Sequence, residues 1–339
     1  MDNSIYITIL FGIVLHVTVD GCLLPLSSGT WISSTRGTWT VTVSDNGTHS
    51  TIANFEADLT GASTTATLEC KSSSGTQYIL GATFEIFFTV FIDVYICIDI
   101  RTTSVSPNSY VYYIVTPTDA STGEQFTNDI SSACTNSNYE TAVNKHVILR
   151  SGSETSAAVN YPDVILGKYT VDYYDIDGNS IMGSDMNSCN NSTLMEFNNV
   201  DSNTKLAFTS GNVLQAVHSV TSGSSVYVHT YNRDTNVTNP TTYNIACWVI
   251  VNSGSPVTAT VYPNECIQGQ TSTSVAYGGQ KFVFTLRYTC PLNETPTGTS
   301  GLAGWQIALI VLGILAFIFI VIIFILYNIH EKTKARQGQ

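Results

Sequence analysis

Along most of the chain, apolar and polar residues alternate with a period of two. Trp39, Val41 and Val43 point one way, and Thr38, Thr40 and Thr42 the other. Val94, Ile96, Ile98 and Ile100 share a face opposite Asp93, Tyr95, Cys97 and Asp99. Tyr169, Val171 and Tyr173 alternate with polar residues, as do Phe282, Phe284, Leu286 and Tyr288. Val226, Val228 and Thr230 oppose Tyr227, His229 and Tyr231. Successive side chains of a strand face opposite sides, so this pattern predicts half-buried strands. Clusters of Gly, Asn, Asp and Ser separate the runs, and Asp177-Gly178 predicts a tight hairpin turn. No amphipathic helix precedes Trp305. The expected fold is all-β: two antiparallel, β-sandwich-like, disulfide-linked modules followed by one transmembrane helix.

Three apolar runs break the alternation. Residues 5–19 have the length of a signal-peptide core, with small or moderate side chains before Cys22, so cleavage is expected near Gly21. No Lys or Arg precedes this run, which leaves a buried N-terminal strand or an uncleaved anchor as the alternatives. Residues 307–326 carry no charge and are long enough for a helix across the hydrocarbon core. Trp305 and Tyr327 bracket this span, and Lys332, Lys334 and Arg336 follow it with Glu331 as the one acid. Aromatic rings mark membrane interfaces and basic residues mark the cytoplasmic side, so these five residues are the expected membrane anchors of a type I protein. Residues 86–92 lie between Glu85 and Asp93, too short to span, and are expected to form a buried strand.

The expected division is therefore a signal peptide at 1–21, an N-terminal β-domain at 22–150 and a membrane-proximal β-domain at 151–290. A stalk follows at 291–304, a transmembrane helix at 305–327 and a cytoplasmic tail at 328–339. All eight cysteines (Cys22, Cys70, Cys97, Cys134, Cys189, Cys247, Cys266 and Cys290) fall between the signal and the stalk, four on each side of the boundary. An even number confined there reads as disulfides formed in an oxidising compartment, with connectivity open. A metal site is disfavoured because no C-x-x-C pair occurs. Asn46, Asn190, Asn191, Asn236 and Asn293 head N-x-[ST] triplets and are the expected N-glycosylation sites, with Asn190 and Asn191 sharing one glycan.

Charge changes the picture of partners. Only 11% of the 339 residues are charged, against about 25% in typical soluble domains, and the net charge is −12. With the signal and tail set aside, residues 22–304 hold 10 basic and 22 acidic residues, so the acidity belongs to the lumenal part. That excludes a nucleic-acid partner and disfavours heparin-like ones.

Asp93-Val-Tyr95-Ile-Cys97 resembles the tyrosine-corner strand of an immunoglobulin domain, and Tyr288-Thr-Cys290 has the same spacing. Such a domain would bridge its sheets through Cys97, with Cys22 or Cys70 as partner and Trp31 or Trp39 as the packing ring. A less specific β-sandwich is the preferred reading. A longer resemblance begins with Cys22-Leu-Leu-Pro, Gly29-Thr-Trp31 and Gly37-Thr-Trp39-Thr-Val. It continues through Gly167-Lys-Tyr169-Thr-Val-Asp-Tyr173 and Asn187-Ser-Cys189 to residues 194–197. These segments resemble a mollusc-rich invertebrate family of single-pass cell-surface proteins with tandem Cys-bearing β-domains of unassigned function. That resemblance implies a receptor-like or adhesive protein and supplies no catalytic residues.

Catalytic motifs are absent. His49, His146, His218 and His229 stand in no H-E-x-x-H, and there is no G-x-S-x-G, P-loop or G-x-G-x-x-G. Asp175-Ile-Asp177-Gly178 reads better as a turn than as a Ca²⁺ loop, so no metal or cofactor is expected. Asp172 and Asp175 are the carboxylate pair that a membrane-anchored lumenal hydrolase would use, a minor alternative. The face bearing Tyr227, His229 and Tyr231 is the candidate contact surface, because Tyr offers large area at low entropy cost. The alternative is that these rings pack against the other sheet. The expectation is thus a non-enzymatic, glycosylated type I plasma-membrane protein. It would touch the bilayer through residues 307–326 and an extracellular protein or glycan through its β-domains. The alternative location is a virion envelope, as an attachment glycoprotein.

Overall fold

The computed structural model describes residues 5–8, 14–17, 21–58, 63–87, 90–120, 123–201, 203–251, 254 and 256–290. The stalk, Asn293, the transmembrane segment, its anchors Trp305, Tyr327, Lys332, Lys334 and Arg336, and the tail lie outside these residues. Among the described residues no helix is long and apolar enough to cross a membrane. Within the expected signal segment, β1 (Ile5–Thr8) and β2 (Val14–Val17) pair antiparallel.

The modules are closed barrels rather than sandwiches. The first comprises β3 (Gly29–Ser33), β4 (Thr38–Val43), β5 (Ser50–Asp58), β6 (Ser63–Ser74), β7 (Gln77–Phe87), β8 (Val90–Thr102), β9 (Ser109–Ile114) and β10 (His146–Arg150). The second comprises β11 (Gly167–Tyr174), β12 (Ser180–Asn187), β13 (Leu194–Asn198), β14 (Val213–Ser222), β15 (Ser225–Asn232), β16 (Ile245–Val251), β17 (Val257–Pro263) and β18 (Gln280–Thr289). In each barrel every strand pairs antiparallel with its neighbour in sequence, and the eighth closes on the first. Closure removes both free edges, which a pair of open sheets would keep. An alternating strand pattern is common to both architectures, so periodicity alone does not distinguish them.

Eight-stranded barrels have interiors just wide enough for side chains to fill, and large side chains fill these. Trp31, Trp39, Phe55, Leu68, Leu80, Ile96 and Tyr112 are buried in the first core, where Trp39 stacks on Phe55 at 5.2 Å. Trp248, Phe282, Phe284, Tyr169, Val171 and Met195 are buried in the second. Each barrel is entered by a segment that adds to its core: Leu24 and Leu26 to the first, Tyr161 and Ile165 to the second. The alternations at 38–43, 94–100 and 169–173 hold as expected. On β18 the inward run stops at Phe284, and Leu286 and Tyr288 are exposed.

The barrels repeat one another. Both first strands open Gly-x-aromatic, Gly29-Thr-Trp31 and Gly167-Lys-Tyr169, with a buried ring. Both sixth strands carry an outward cysteine bonded to the loop between strands seven and eight: Cys97 to Cys134, and Cys247 to Cys266. Cys22 bonds to Cys70, and Cys189 and Cys290 are disulfide-bonded as well, so no cysteine is free. The immunoglobulin reading is therefore corrected. Cys97 does not bridge two sheets; it ties a loop to the outside of a barrel, in a cluster with Val115 and Ala133 separate from the main core.

The Asp177-Gly178 turn forms as expected, joining β11 to β12 with Gly178 at φ +80°. The polar stretch after Arg150 is not a loose linker: Ala157 is fully buried between the barrels, and the Val159 amide donates to the Ala216 carbonyl at 2.9 Å. Both barrels belong to one compact unit, 1–289.

Candidate functional site

Two features stand outside the cores: the seam where the barrels meet, and the free end of the β7–β8 hairpin.

The seam is built on β14 and β15 of the second barrel. A bulge in β14 lets Ala216 pair with Thr230 and His218 with His229, leaving Val217 extra. A bulge re-aims side chains locally. Ala216 accordingly points into the core, while Val217 and His218 both face the first barrel. On β15, Val228 and Thr230 face inward, and Thr230 accepts from the Trp248 indole at 3.2 Å. Tyr227, His229 and Tyr231 face outward, as their alternation predicts. They are not an open contact surface. Tyr231, half-buried, packs on a cluster that includes Val111, Val147 and Leu149 of the first barrel; Tyr227, also half-buried, packs on Cys247, Val249 and Cys266 of its own barrel; and His229 is fully buried. Of this face, His229 is internal and Tyr231 lies against the first barrel, while Tyr227 stays half-exposed.

The seam collects ionisable groups from both sides. From the first barrel come Arg36, Arg101, Glu140, Lys145 and His146; from the second come His218, His229 and Glu265. The His146 Nδ1 lies 3.6 Å from a Glu265 carboxylate oxygen, and its ring packs on Tyr112 at 5.1 Å. The His218 and His229 rings are 6.1 Å apart. Among the described residues, the His146 Nδ1, the His218 Nε2 and both nitrogens of His229 have no hydrogen-bond partner. Burial, with Arg36 adding repulsion, pushes His146 down to about 3. Burial and Lys145 push His218 down to about 4. Burial drives His229 well below its ordinary value, and His218, His146 and Lys145 repel its proton further. The Lys145 main chain favours the charged form of His229 slightly, without hydrogen-bond geometry. Burial raises Glu265, with Arg36 partly offsetting.

The two outer disulfides place these groups. Cys134 fixes the loop that delivers Tyr139, Glu140 and Lys145, and Cys266 adjoins Glu265. Asp99, on β8 and 1% exposed, anchors the first loop: Tyr139 donates to it at 2.8 Å and Arg101 at 2.7 Å, and Arg101 also pairs with Glu140. Burial opposes the charge on Asp99, but hydrogen bonds from Arg101, Thr76 and Tyr139 hold its carboxyl below the usual range. A cleft of about 390 Å³, lined by Arg101, Tyr113, Glu140, Lys145 and His218 among others, opens along this line. Among the described residues no group of three His, Cys, Asp or Glu is arranged to hold a metal ion.

The second feature departs from the buried strand expected at 86–92, at the three of its residues whose exposure is described, Val90, Phe91 and Ile92. β7 and β8 are 11 and 13 residues long, whereas β9 has 6 and pairs only from Ile98 onward. β6 likewise pairs with β7 only as far as Gly81. The pairs from Ala82 and Val94 outward are therefore made only between β7 and β8, as a two-stranded ribbon whose base, at Ala82 and Phe84, packs on the first core. Near its end Val90, Phe91 and Ile92 are 55%, 61% and 37% exposed. β-branched and aromatic composition marks a strand here correctly, but it carries no information on whether a neighbour covers it. Phe88 and Thr89 lie outside the described residues.

The described sequon asparagines, Asn46, Asn190, Asn191 and Asn236, are all exposed. In Asn46-Gly-Thr48 and Asn191-Ser-Thr193 the Thr hydroxyl donates to the Asn carboxamide oxygen, at 2.8 Å in both. The Asn190 carboxamide instead donates toward Glu196 at 3.5 Å. Asn191→Gln is expected to remove one glycan and Asn190→Gln none, read as gel mobility with and without glycosidase. The reverse result would mean that local turn geometry does not choose between them.

Asp172 and Asp175 both serve the β11–β12 hairpin. Asp172 accepts from the Gly183 amide at 3.0 Å, and Asp175 accepts from the Asn179 amide and carboxamide at 2.8 and 2.7 Å. No family model, no curated protein and no solved structure matches the chain.

Of the seam, the sequence shows Tyr227, His229 and Tyr231 on one face. It does not show His146, Lys145, His218 or Glu265 beside them. The β14 bulge is invisible because Ala216-Val217-His218 reads as ordinary alternation.

Proposed function

We propose that the chain is a non-enzymatic, N-glycosylated type I membrane protein whose tandem barrels bind another protein outside the cell. The supporting observation is the coincidence of full cysteine oxidation with exposure of every described sequon asparagine. Both fit an extracytoplasmic compartment. The anchor is the uncharged run 307–326. The contact surface is the ribbon end at Val90, Phe91 and Ile92. These side chains offer apolar area and no hydrogen-bonding group, which suits a protein partner better than a glycan. Asp172 and Asp175 are occupied in holding a turn, which speaks against a hydrolase.

The full chain expressed in cultured cells is expected to label at the surface without permeabilisation and to gain gel mobility on glycosidase treatment; unchanged mobility would overturn the topology. Phe91→Asp is expected to leave the melting temperature within about 2 °C, because the ring is largely exposed. It is expected to weaken partner or cell binding at least tenfold. Unchanged binding would remove the ribbon end from the contact.

A second reading rests on the same ribbon. In a virion envelope, an apolar hairpin end would enter the lipid of a target membrane. Flotation of the full chain with zwitterionic vesicles, lost in Phe91→Asp, would favour it over a protein partner.

A further inference from the structure

We infer that the seam between the barrels is a pH-responsive joint, in which protonation of His146, His218 and His229 loosens the contact in mildly acidic medium. The inference concerns the joint alone and holds whichever partner the ribbon meets.

The geometry carries it. His218 and His229, with rings 6.1 Å apart on β14 and β15, face the first barrel, and His146 of β10, at the rim of the first core beside Tyr112, meets Glu265 of the second barrel. Among the described residues four ring nitrogens of these histidines are buried without a hydrogen bond, the His146 Nδ1 meeting Glu265 only at 3.6 Å, so the contact holds these rings neutral. Each faces positive charge: His146 faces Arg36, while His218 and His229 face Lys145 and one another. The facing carboxylates are few. Glu140 and Asp99 are held by Arg101. Glu265, at 3.6 Å from His146, is itself disfavoured as an anion by burial. Tyr112, in the first core behind His146, and Tyr113, in the cleft, stay neutral in this range because burial raises both.

The direction follows from linkage. A group whose value is lower in the docked state binds fewer protons there, so docking is strongest above the free value near 6.5 and weakens as pH falls below it. Between pH 7 and 5, one imidazole held neutral in the docked state and free in the open state shifts the balance about 20-fold toward the open state. Glu265 acts in the opposite sense, since its raised value favours docking as pH falls toward its ordinary range. It is one group against three. Asp99, held below the ordinary carboxylate range, does not titrate in this window, so the loop on the first barrel stays in place.

The test is hydroxyl-radical footprinting of the full chain at pH 7.4 and 5.0. Oxidation of the seam residues Tyr231 and Val217 is expected to rise several-fold at pH 5.0, while the core residues Trp39 and Trp248 stay unchanged. His218→Gln with His229→Gln, which keeps polar side chains but removes two titrating groups, is expected to abolish most of the rise. Equal labelling of the seam at both pH values would overturn the inference, and so would core tryptophans rising in step with it, which marks global unfolding. A full rise persisting in the double variant would also overturn it. If that variant does not fold, the wild-type comparison decides alone.

Discussion

Trp248→Ala is expected to destabilise the second barrel by about 3–5 kcal/mol, the range for deleting a large buried aromatic. Trp248 is fully buried at the centre of that core, with ring centroids 5.0 Å from Phe282 and 6.3 Å from Phe284. Its indole nitrogen donates to Thr230. The removed volume cannot be refilled, because β16 is held by β15 on one side and β17 on the other. A barrel has no free edge that could slide inward. The melting transition should fall by about 10 °C for a domain of this size. Trp248→Phe retains most of the ring area and loses the bond to Thr230, so a much smaller drop is expected, on the order of 1 kcal/mol from that bond plus partial cavity cost. Equal losses in the two variants would mean that the hydrogen bond, not packing, dominates at this position.

Replacing Cys97 and Cys134 together by serine is expected to cost about 4 kcal/mol, from the chain entropy released when a 37-residue connection is no longer closed. The consequence reaches beyond stability. The loop freed by this change carries Tyr139, Glu140 and Lys145, so its release removes one wall of the cleft at the seam. The footprint of Tyr231 should then rise even at pH 7.4. Other contacts oppose the release: the Cys97 amide donates to Thr116 at 2.7 Å, Tyr139 donates to Asp99, and Arg101 pairs with Glu140. A melting temperature within 2 °C of wild type would show that those contacts hold the loop without the disulfide.

Much of the barrel strands is legible in the chain. β4, β8, β11 and β15 follow from alternation, because a period of two has one structural meaning. The turn at Asp177-Gly178 follows from local chemistry: Gly178 takes a positive φ at no steric cost. The sequons and the confinement of all cysteines between the terminal apolar runs are likewise plain to read. Disulfide partners are not. Cys97 and Cys134 become neighbours only when the loop after β9 folds back over β8, a long-range event that spacing does not encode.

The sequence by itself determined that this is an all-β, acidic chain with an even set of cysteines and several N-x-[ST] triplets, because composition and periodicity are local quantities. Only the tertiary structure decided which faces are open. His229 and Tyr231 have the pattern of a free face and lie at the first barrel; Val90, Phe91 and Ile92 have the composition of a core strand and are bare. A strand's alternation states that its two sides differ. What covers each side depends on strand lengths, on the β14 bulge and on barrel closure, and these bring together residues far apart along the chain.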